Sequence, residues 1–381
     1  MITPHDELLI HQLPTTLDHV SQSDLRWTER IVMYGFDKTG EVSVMTGLAK
    51  YPNRNVLDAY AMVTRKGEEA RVVRLSTELN PQTGALAAWS VGPYTYEIVE
   101  PLRKVRSTVE SNEHGLSLQL DFSGDFPVYE QTAAFHRTRG RVREDARRFY
   151  QNGTITGWIE IDGERIEIDP DNWWFGRDHS WGVRHGGGGG SLSEGANLQP
   201  SEVPEGVLYY MGIFQFDDEV VHFAQRETST GARWQFEGEV LFPIDSGKDA
   251  LPIIDVEHDL KFRDDLRVVK SGTFTVHRAD RTTDVIEVNP VCDFWPGLAG
   301  YDEYRGYASG MYRGKDFSDS FTVDITNLEE IRQVSMLSET LCEVRMGDKI
   351  GHGLVEMVFM GVNPRYGYTN WSANRTDAHN D

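Results

Sequence analysis

The sequence predicts an all-β protein organised as two barrel- or sandwich-like halves. Three observations predict it: apolar and polar residues alternate over much of the chain, hairpin-forming pairs separate the alternating runs, and long amphipathic helices are scarce. Alternation with period two is what a half-buried strand requires, because successive side chains point to opposite faces. Many short antiparallel strands divided by turns stack as sandwiches or close into barrels.

Along the chain, "EVSVMTGLA" places Val42, Val44, Thr46 and Leu48 on one side of a strand. "LSLQLDF" does the same with Leu116, Leu118, Leu120 and Phe122. The stretch from Val142 to Tyr150 is the best helical candidate and equally fits the start of a strand. "TITGWIEIDGERIEID" divides into two short strands at Asp162-Gly163, a pair that tolerates the positive φ of a tight hairpin. Residues 186–206, "GGGGGSLSEGANLQPSEVPEG", are rich in Gly, Ser and Pro, which marks a linker or a long rim loop. In the second half, "VLYYMGIFQFDDEVVHFAQRE" gives strand, acidic turn, strand, while "FTVHRADRTTDVIEV" and "LCEVRMGDKIGHGLVEMVFMG" give further hairpins. The expected division is residues 1–185 for the first barrel, 186–206 for the linker, 207–371 for the second barrel and 372–381 for a frayed tail.

The 381 residues carry 38 Lys and Arg against 60 Asp and Glu, a formal charge of −22. Such a surface repels phosphate backbones and anionic lipid headgroups, so nucleic acid is not an expected partner. Cys292 and Cys342 have no metal-ligand spacing and are expected as buried thiols in a reducing compartment. The N-terminus is acidic where a secretory signal is basic, and no run approaches the ~18 apolar residues of a membrane span. A cytoplasmic location is therefore expected. The twelve histidines lack HExxH or paired-ligand spacing, so no metal is expected. No Gly-x-Ser-x-Gly elbow, phosphate-binding Gly-Lys-Ser/Thr or dinucleotide fingerprint occurs, and no cofactor is expected.

Residues 171–190, "DNWWFGRDHSWGVRHGGGGG", concentrate aromatic surface and titratable groups. In an extended strand Arg177, His179, Trp181 and Val183 share one face, while Asp178, Ser180, Gly182 and Arg184 share the other. Histidine exchanges protons near neutral pH, and an indole face stabilises nearby positive charge by about 0.5–2 kcal/mol. The pair His179 and Trp181 would suit protonation of an alkene and shelter of the resulting cation, in a water-poor hollow. Asp178 would then anchor the strand, with Arg184 as its partner. The competing reading makes Trp173, Trp174 and Trp181 core aromatics and His179 a satisfied core residue.

"GRDHSWGVR" resembles the Asp-His-x-Trp-Gly signature of the two-lipocalin superfamily. That superfamily includes carotenoid hydratases (hydroxyneurosporene synthases), AttH-like proteins and Diels–Alderase-type pericyclases. The preceding "YQNGTITGWIEIDGERIEID" is similar to the hairpin before that signature, so the motif-level resemblance spans about residues 150–184. The resemblance implies two consecutive lipocalin/calycin-like antiparallel β-barrels, with an apolar substrate in or between them and His179 and Trp181 in catalysis. The hydratases also use a tyrosine and an aspartate two residues apart, early in the second half. Tyr209 and Tyr210 stand in that region, but Met211 and Gly212 occupy the aspartate's positions, so the hydratase-type proton donor is missing at that spacing.

The expected site is His179, Trp181 and Tyr210 for catalysis, with Trp174, Arg177, Tyr209, Phe214 and Trp295 contacting substrate. His352 and Glu356 share a strand face, with a plain barrel-closing hairpin as the alternative. "CDFWPGLAGYDEYRGY" has the composition of a lid-like or interdomain loop able to line an apolar ligand site. The leading function is acid–base chemistry on an apolar isoprenoid, steroid or polyketide-like molecule: hydration, dehydration or isomerisation of an alkene. The alternatives are a pericyclase-like cyclase and a non-catalytic carrier of a hydrophobic ligand.

Overall fold

The computed structural model describes residues 2, 4–9, 19–65, 68–79, 88–138, 141–184, 206–301, 303–335 and 337–369. The expected linker, apart from Gly206, and the expected tail lie outside the described residues. The first half supplies β1 (Trp27–Asp37), β2 (Val42–Tyr51), β3 (Val56–Arg65), β4 (Glu69–Glu78), β5 (Ala88–Val91) and β6 (Tyr94–Glu100). It continues with β7 (Lys104–Val109), β8 (Leu116–Gly124), β9 (Tyr129–Thr138), β10 (Arg141–Ile161), β11 (Glu164–Ile168) and β12 (Trp173–Val183). The second half begins with β13 (Gly206–Gln215), β14 (Val220–Thr228), β15 (Arg233–Leu241), β16 (Leu251–His258), β17 (Lys261–Phe262) and β18 (Val269–Arg278). It ends with β19 (Thr283–Phe294), β20 (Phe317–Asp324), β21 (Leu337–Met346) and β22 (Lys349–Gly361).

The strands form two antiparallel sheets, an all-β, two-domain, lipocalin-like architecture. The second sheet runs β16-β15-β14-β13-β22-β21-β19-β18, and β18 pairs back onto β16, which closes the ring. The first runs β20-β4-β3-β2-β1-β12-β10-β8-β7-β6-β5, and β5 curls back towards β3 and β4. One connection departs from a simple division at residue 206: β20, from the second half, pairs with β4 from Phe317↔Ser76 to Asp324↔Glu69. It covers an edge that would otherwise present unpaired backbone groups.

Among the described residues, three large apolar clusters follow from strand alternation. One fills the first barrel (Val44, Leu48, Leu118, Leu120, Phe122, Phe175) and another the second (Leu208, Phe223, Phe274, Val355). The third lies where the sheets meet and joins Val32, Tyr34, Tyr60 and Trp174 to Met211, Ile213, Leu341 and Leu354. Strands such as β1, β2 and β3 are therefore buried on both faces, and Met45 faces the inter-sheet core while its neighbour Val44 faces the barrel.

The run from Val142 to Tyr150 is strand, part of β10, because it pairs with β9 on one side and β12 on the other. At the predicted hairpin Asp162 and Gly163 adopt φ of 50° and 87°. Gly182, which ends the signature, has φ 114°, and a Cβ there would sit 2.1 Å from the Asp145 carbonyl oxygen. Cys342 is buried and Cys292 only half-buried, so the expectation of two buried thiols holds for one. No helix among the described residues is long and apolar enough to cross a membrane.

Candidate active site

Strand β12 lies between β1 and β10 with both faces covered, and its alternation sends the signature residues into two separate environments. Arg177 and His179 turn into the first barrel, while Trp174 and Asp178 turn towards the second sheet.

Inside the first barrel, Arg177 donates to both Glu7 oxygens at 2.7 and 2.6 Å and to Gln151 Oε1 at 3.0 Å. His179 Nε2 is 3.2 Å from Glu29, whose other oxygen is 3.2 Å from Lys50 Nζ, and His179 Nδ1 is 4.0 Å from Glu7. Lys50 also donates to the Leu9 carbonyl. Burial alone would raise the Glu7 pKa, but the Arg177 guanidinium, His179 and the Leu102 N–H bring it below the usual value. His179 and Trp181 do share a face, with ring centroids 5.4 Å apart. Phe149 packs on His179 at 5.2 Å, and the imidazole is fully buried between Glu7 and Glu29. Here His179 is packed among the buried ion pairs Arg177–Glu7 and Lys50–Glu29.

A second polar cluster forms where the sheets meet. Asp178 of β12 lies 3.5 Å from Arg148 of β10, which also donates to the Tyr150 hydroxyl. The expected Asp178–Arg184 partnership is not formed; Arg184 donates to Ser180 Oγ at 2.7 Å. From the second sheet, Glu339 of β21 and Glu356 of β22 are direct cross-strand partners. Tyr209 of β13 approaches Glu356 from the neighbouring strand, and its hydroxyl donates to Met211 Sδ at 3.7 Å.

Burial raises the Asp178 pKa to about 6, against the pull of Arg148 and with a push from Glu356. Burial, then Glu356 and Asp178, drive Glu339 well above the usual carboxyl range. Burial also raises Glu356, opposed by Arg148 and the Tyr209 hydroxyl. Like charges opposed across a sheet cannot both ionise cheaply, so the two glutamates retain a proton between them. His222 of β14 stacks on Tyr129 at 3.9 Å and lies 4.8 Å from Tyr150. Burial, aided by Arg148, lowers its pKa to about 3, so the ring is neutral. Both its nitrogens, Trp174 Nε1, Asp178 Oδ1 and Glu339 Oε2 are buried without a hydrogen-bond partner. Unpaired buried polar atoms are costly and rare, and a group of them on facing surfaces is what a binding site presents.

Of the residues expected from sequence, the structure brings Trp174, Tyr209 and Trp295 to this inter-sheet region. Arg177 and His179 sit in the first barrel with Trp181 half-buried beside them, and Tyr210 and Phe214 lie inside the second barrel. The predicted eight residues are therefore not one site. Sequence reasoning missed Asp178, Arg148, Glu339 and His222 as a group. One signal was available for Glu339: the Gly347-Asp348 turn sets Met346 opposite Lys349, and counting back places Glu339 opposite Glu356. The loop containing Trp295 does bridge the halves. Arg30 lies 4.4 Å over Tyr301, and Arg74 donates to the Tyr304 carbonyl at 2.9 Å.

Residues 2–369 match one protein-family model along almost the whole chain. The chain belongs to DUF8625, a family of unknown function. Among solved structures the DUF8625 chain is similar to kievitone hydratase from Nectria haematococca, at 12% identity and TM-score 0.50, covering 93% of this chain and 94% of that one. It is similar to CghA, a pericyclase, at 10% identity and TM-score 0.50, covering 93% of each. An AttH-like protein from Nitrosomonas europaea gives 12% identity and TM-score 0.49, covering 91% of this chain and 97% of that one. At such identity the likeness is one of fold, and it is the fold of the superfamily that the signature on β12 resembles. No protein with a curated description matches the chain.

Proposed function

We propose that this DUF8625 protein is an enzyme that modifies an apolar small molecule by acid–base chemistry without a dissociable cofactor, using the inter-sheet carboxyl cluster. The observation that carries this reading is the convergence of Asp178, Glu339 and Glu356 with Arg148 between two apolar sheet faces. A carboxyl kept protonated by burial is a proton donor at neutral pH, as general acid catalysis requires. For hydration, one carboxyl gives its proton to an alkene carbon, water adds to the cationic carbon, and the added water returns a proton to the carboxylate. The reverse sequence is dehydration, and proton return from a neighbouring carbon is isomerisation. The faces of Tyr34, Trp174 and Tyr209 supply aromatic surface that favours cationic character. A hydratase and a pericyclase on the same fold lend general support to a reaction of this kind.

On this reading the expected roles of His179 and Tyr210 pass to Asp178 and Glu339, with Trp181 and Arg177 maintaining the first barrel. The test is turnover of terpenoid, polyketide and aromatic alkenes by D178N and E339Q, with folding checked by circular dichroism. Loss of at least 100-fold in either variant supports the assignment; wild-type rates in both remove it. A cyclase that only orients its substrate is favoured by one further observation: Trp174 and His222 offer neutral, unpartnered hydrogen-bonding atoms to the same region. That reading predicts a flat pH–rate profile, whereas acid catalysis predicts a fall as the carboxyl cluster ionises.

A further inference from the structure

We infer that the mouth of the second barrel is a separate binding site for a neutral, hydroxyl-bearing ring such as a sugar or glycoside. Tyr209 and Tyr210 are consecutive on β13 and point in opposite directions, the first to the inter-sheet cluster and the second into the second barrel. His258, on which Tyr210 packs, lines a cavity of about 530 Å³ together with Phe262, Arg365, Tyr366 and Tyr368. A second cavity of about 330 Å³ shares His258 and Arg365 with it and adds Gln225 and Glu227. Both volumes fall in the range of small-molecule sites.

The polar groups between these cavities are ordered. The Leu260 N–H donates to His258 Nδ1 at 3.4 Å, which leaves the ring proton on Nε2. His258 Nε2 lies 3.1 Å from the Tyr366 hydroxyl, and that hydroxyl donates to Glu227 Oε2 at 2.9 Å. Gln225 donates to Glu227 Oε1 at 2.8 Å, and Arg365 reaches Oε2 at 3.3 Å from a half-exposed position. Burial works against ionisation of Glu227, but His258 and Tyr366 hold its pKa below the ordinary value, so it is an acceptor-only carboxylate.

Two atoms of this assembly are buried without a partner: Gln225 Oε1, on a side chain 3% exposed in a residue that lines the second cavity, and the Tyr210 hydroxyl, on a fully buried residue packed 5.0 Å from His258. The Gln225 oxygen only accepts, so it calls for a donor from a ligand, while Arg365 and Arg233 supply donors towards the outside. The lining charges balance, with Lys261, Arg263, Arg365 and Arg233 against Asp259, Asp264, Glu227 and Glu257, so no net charge is selected. The rings of Phe262 and Tyr366, centroids 5.5 Å apart and edge to face, form an apolar corner against which a ligand's C–H groups can pack. A ligand with several hydroxyls donates to Glu227 and Gln225, accepts from Arg365, and packs its C–H groups into the aromatic corner. A site whose buried polar atoms are satisfied only by ligand hydroxyls discriminates strongly against analogues that lack them.

The test is isothermal titration of the full chain with methyl glucosides, galactosides and mannosides and with N-acetylglucosamine. Cyclohexanol serves as the apolar ring with a single hydroxyl. Saturable binding of at least one sugar, weakened tenfold or more by E227Q and by Q225L and unaltered by D178N, is the expected result. Cyclohexanol should bind at least tenfold more weakly than that sugar. Absence of saturable binding by every sugar overturns the inference, as does binding that survives E227Q and Q225L unchanged. Loss of binding in D178N alone also overturns it, because the sugar would then occupy the inter-sheet cluster. Y366F keeps the aromatic corner and removes one donor to Glu227; a weakening smaller than that of E227Q with unchanged circular dichroism separates site chemistry from misfolding.

Discussion

Side chains on one strand, a single residue apart, do opposite work in this molecule. Asp178 keeps a raised pKa between the sheets, whereas His179 is locked among Glu7, Glu29 and Phe149 in the first barrel. The folded Asp178 holds its proton up to about pH 6 and the unfolded one only to about 4. The folded chain binds the extra proton in that interval, so the Asp178 contribution is complete below pH 4 and is lost as pH rises to 6. D178N should remove this loss, by up to about 3 kcal/mol, as read from urea midpoints of wild type and variant between pH 4 and 7. The comparison matters because Asp58, also raised to about 6, slopes the same way, while His222, lowered to about 3, slopes the other way. In the first barrel, E7Q should leave Arg177 charged and uncompensated and lower stability by about 3–5 kcal/mol. The double variant E7L/R177M, which removes both charges, should lose less than E7Q. Turnover per folded molecule should be unchanged in H179Q if that ring serves only the packing around these ion pairs.

Among elements, β12 is the one on which everything turns, since it is central, paired on both edges and buried on both faces. Its Gly182, one residue from the end, is fixed by backbone geometry rather than chemistry. G182A should cost about 1–3 kcal/mol through strain at positive φ and contact with the Asp145 carbonyl, measured as a shift in urea midpoint. The hairpin β21–β22 shows how much of the site could be read beforehand. Its Gly347-Asp348 turn fixes the register, and the register alone opposes Glu339 to Glu356. Nothing in the sequence of that hairpin says that Arg148 and Asp178 would come to meet them, because the contact is made by face-to-face packing, which leaves no periodic trace.

The whole molecule is held together by more than a linker. A shared apolar core lies between the sheets, and β20 crosses from the second half to finish the edge of the first. Unfolding should therefore be one cooperative transition, with far-ultraviolet circular dichroism and tryptophan fluorescence giving coincident curves. A fragment of residues 1–185 lacks β20 and bares its inter-sheet face. It should bind a hydrophobic dye and stay poorly soluble unless the second half is co-expressed.

Alternation and turn pairs determined the all-β class, the strands and hairpins of both halves, and the shared face of His179 and Trp181, because these depend on residues close in sequence. The Asp-His-x-Trp-Gly stretch likewise pointed to the fold that the chain shares with kievitone hydratase and CghA. Tertiary structure alone decided which face of β12 meets the other sheet, that the N-terminal Glu7 lies beside His179, and which carboxyls share one desolvated region. Those outcomes depend on long-range packing and on the dielectric it creates, and neither is written in any local pattern of residues.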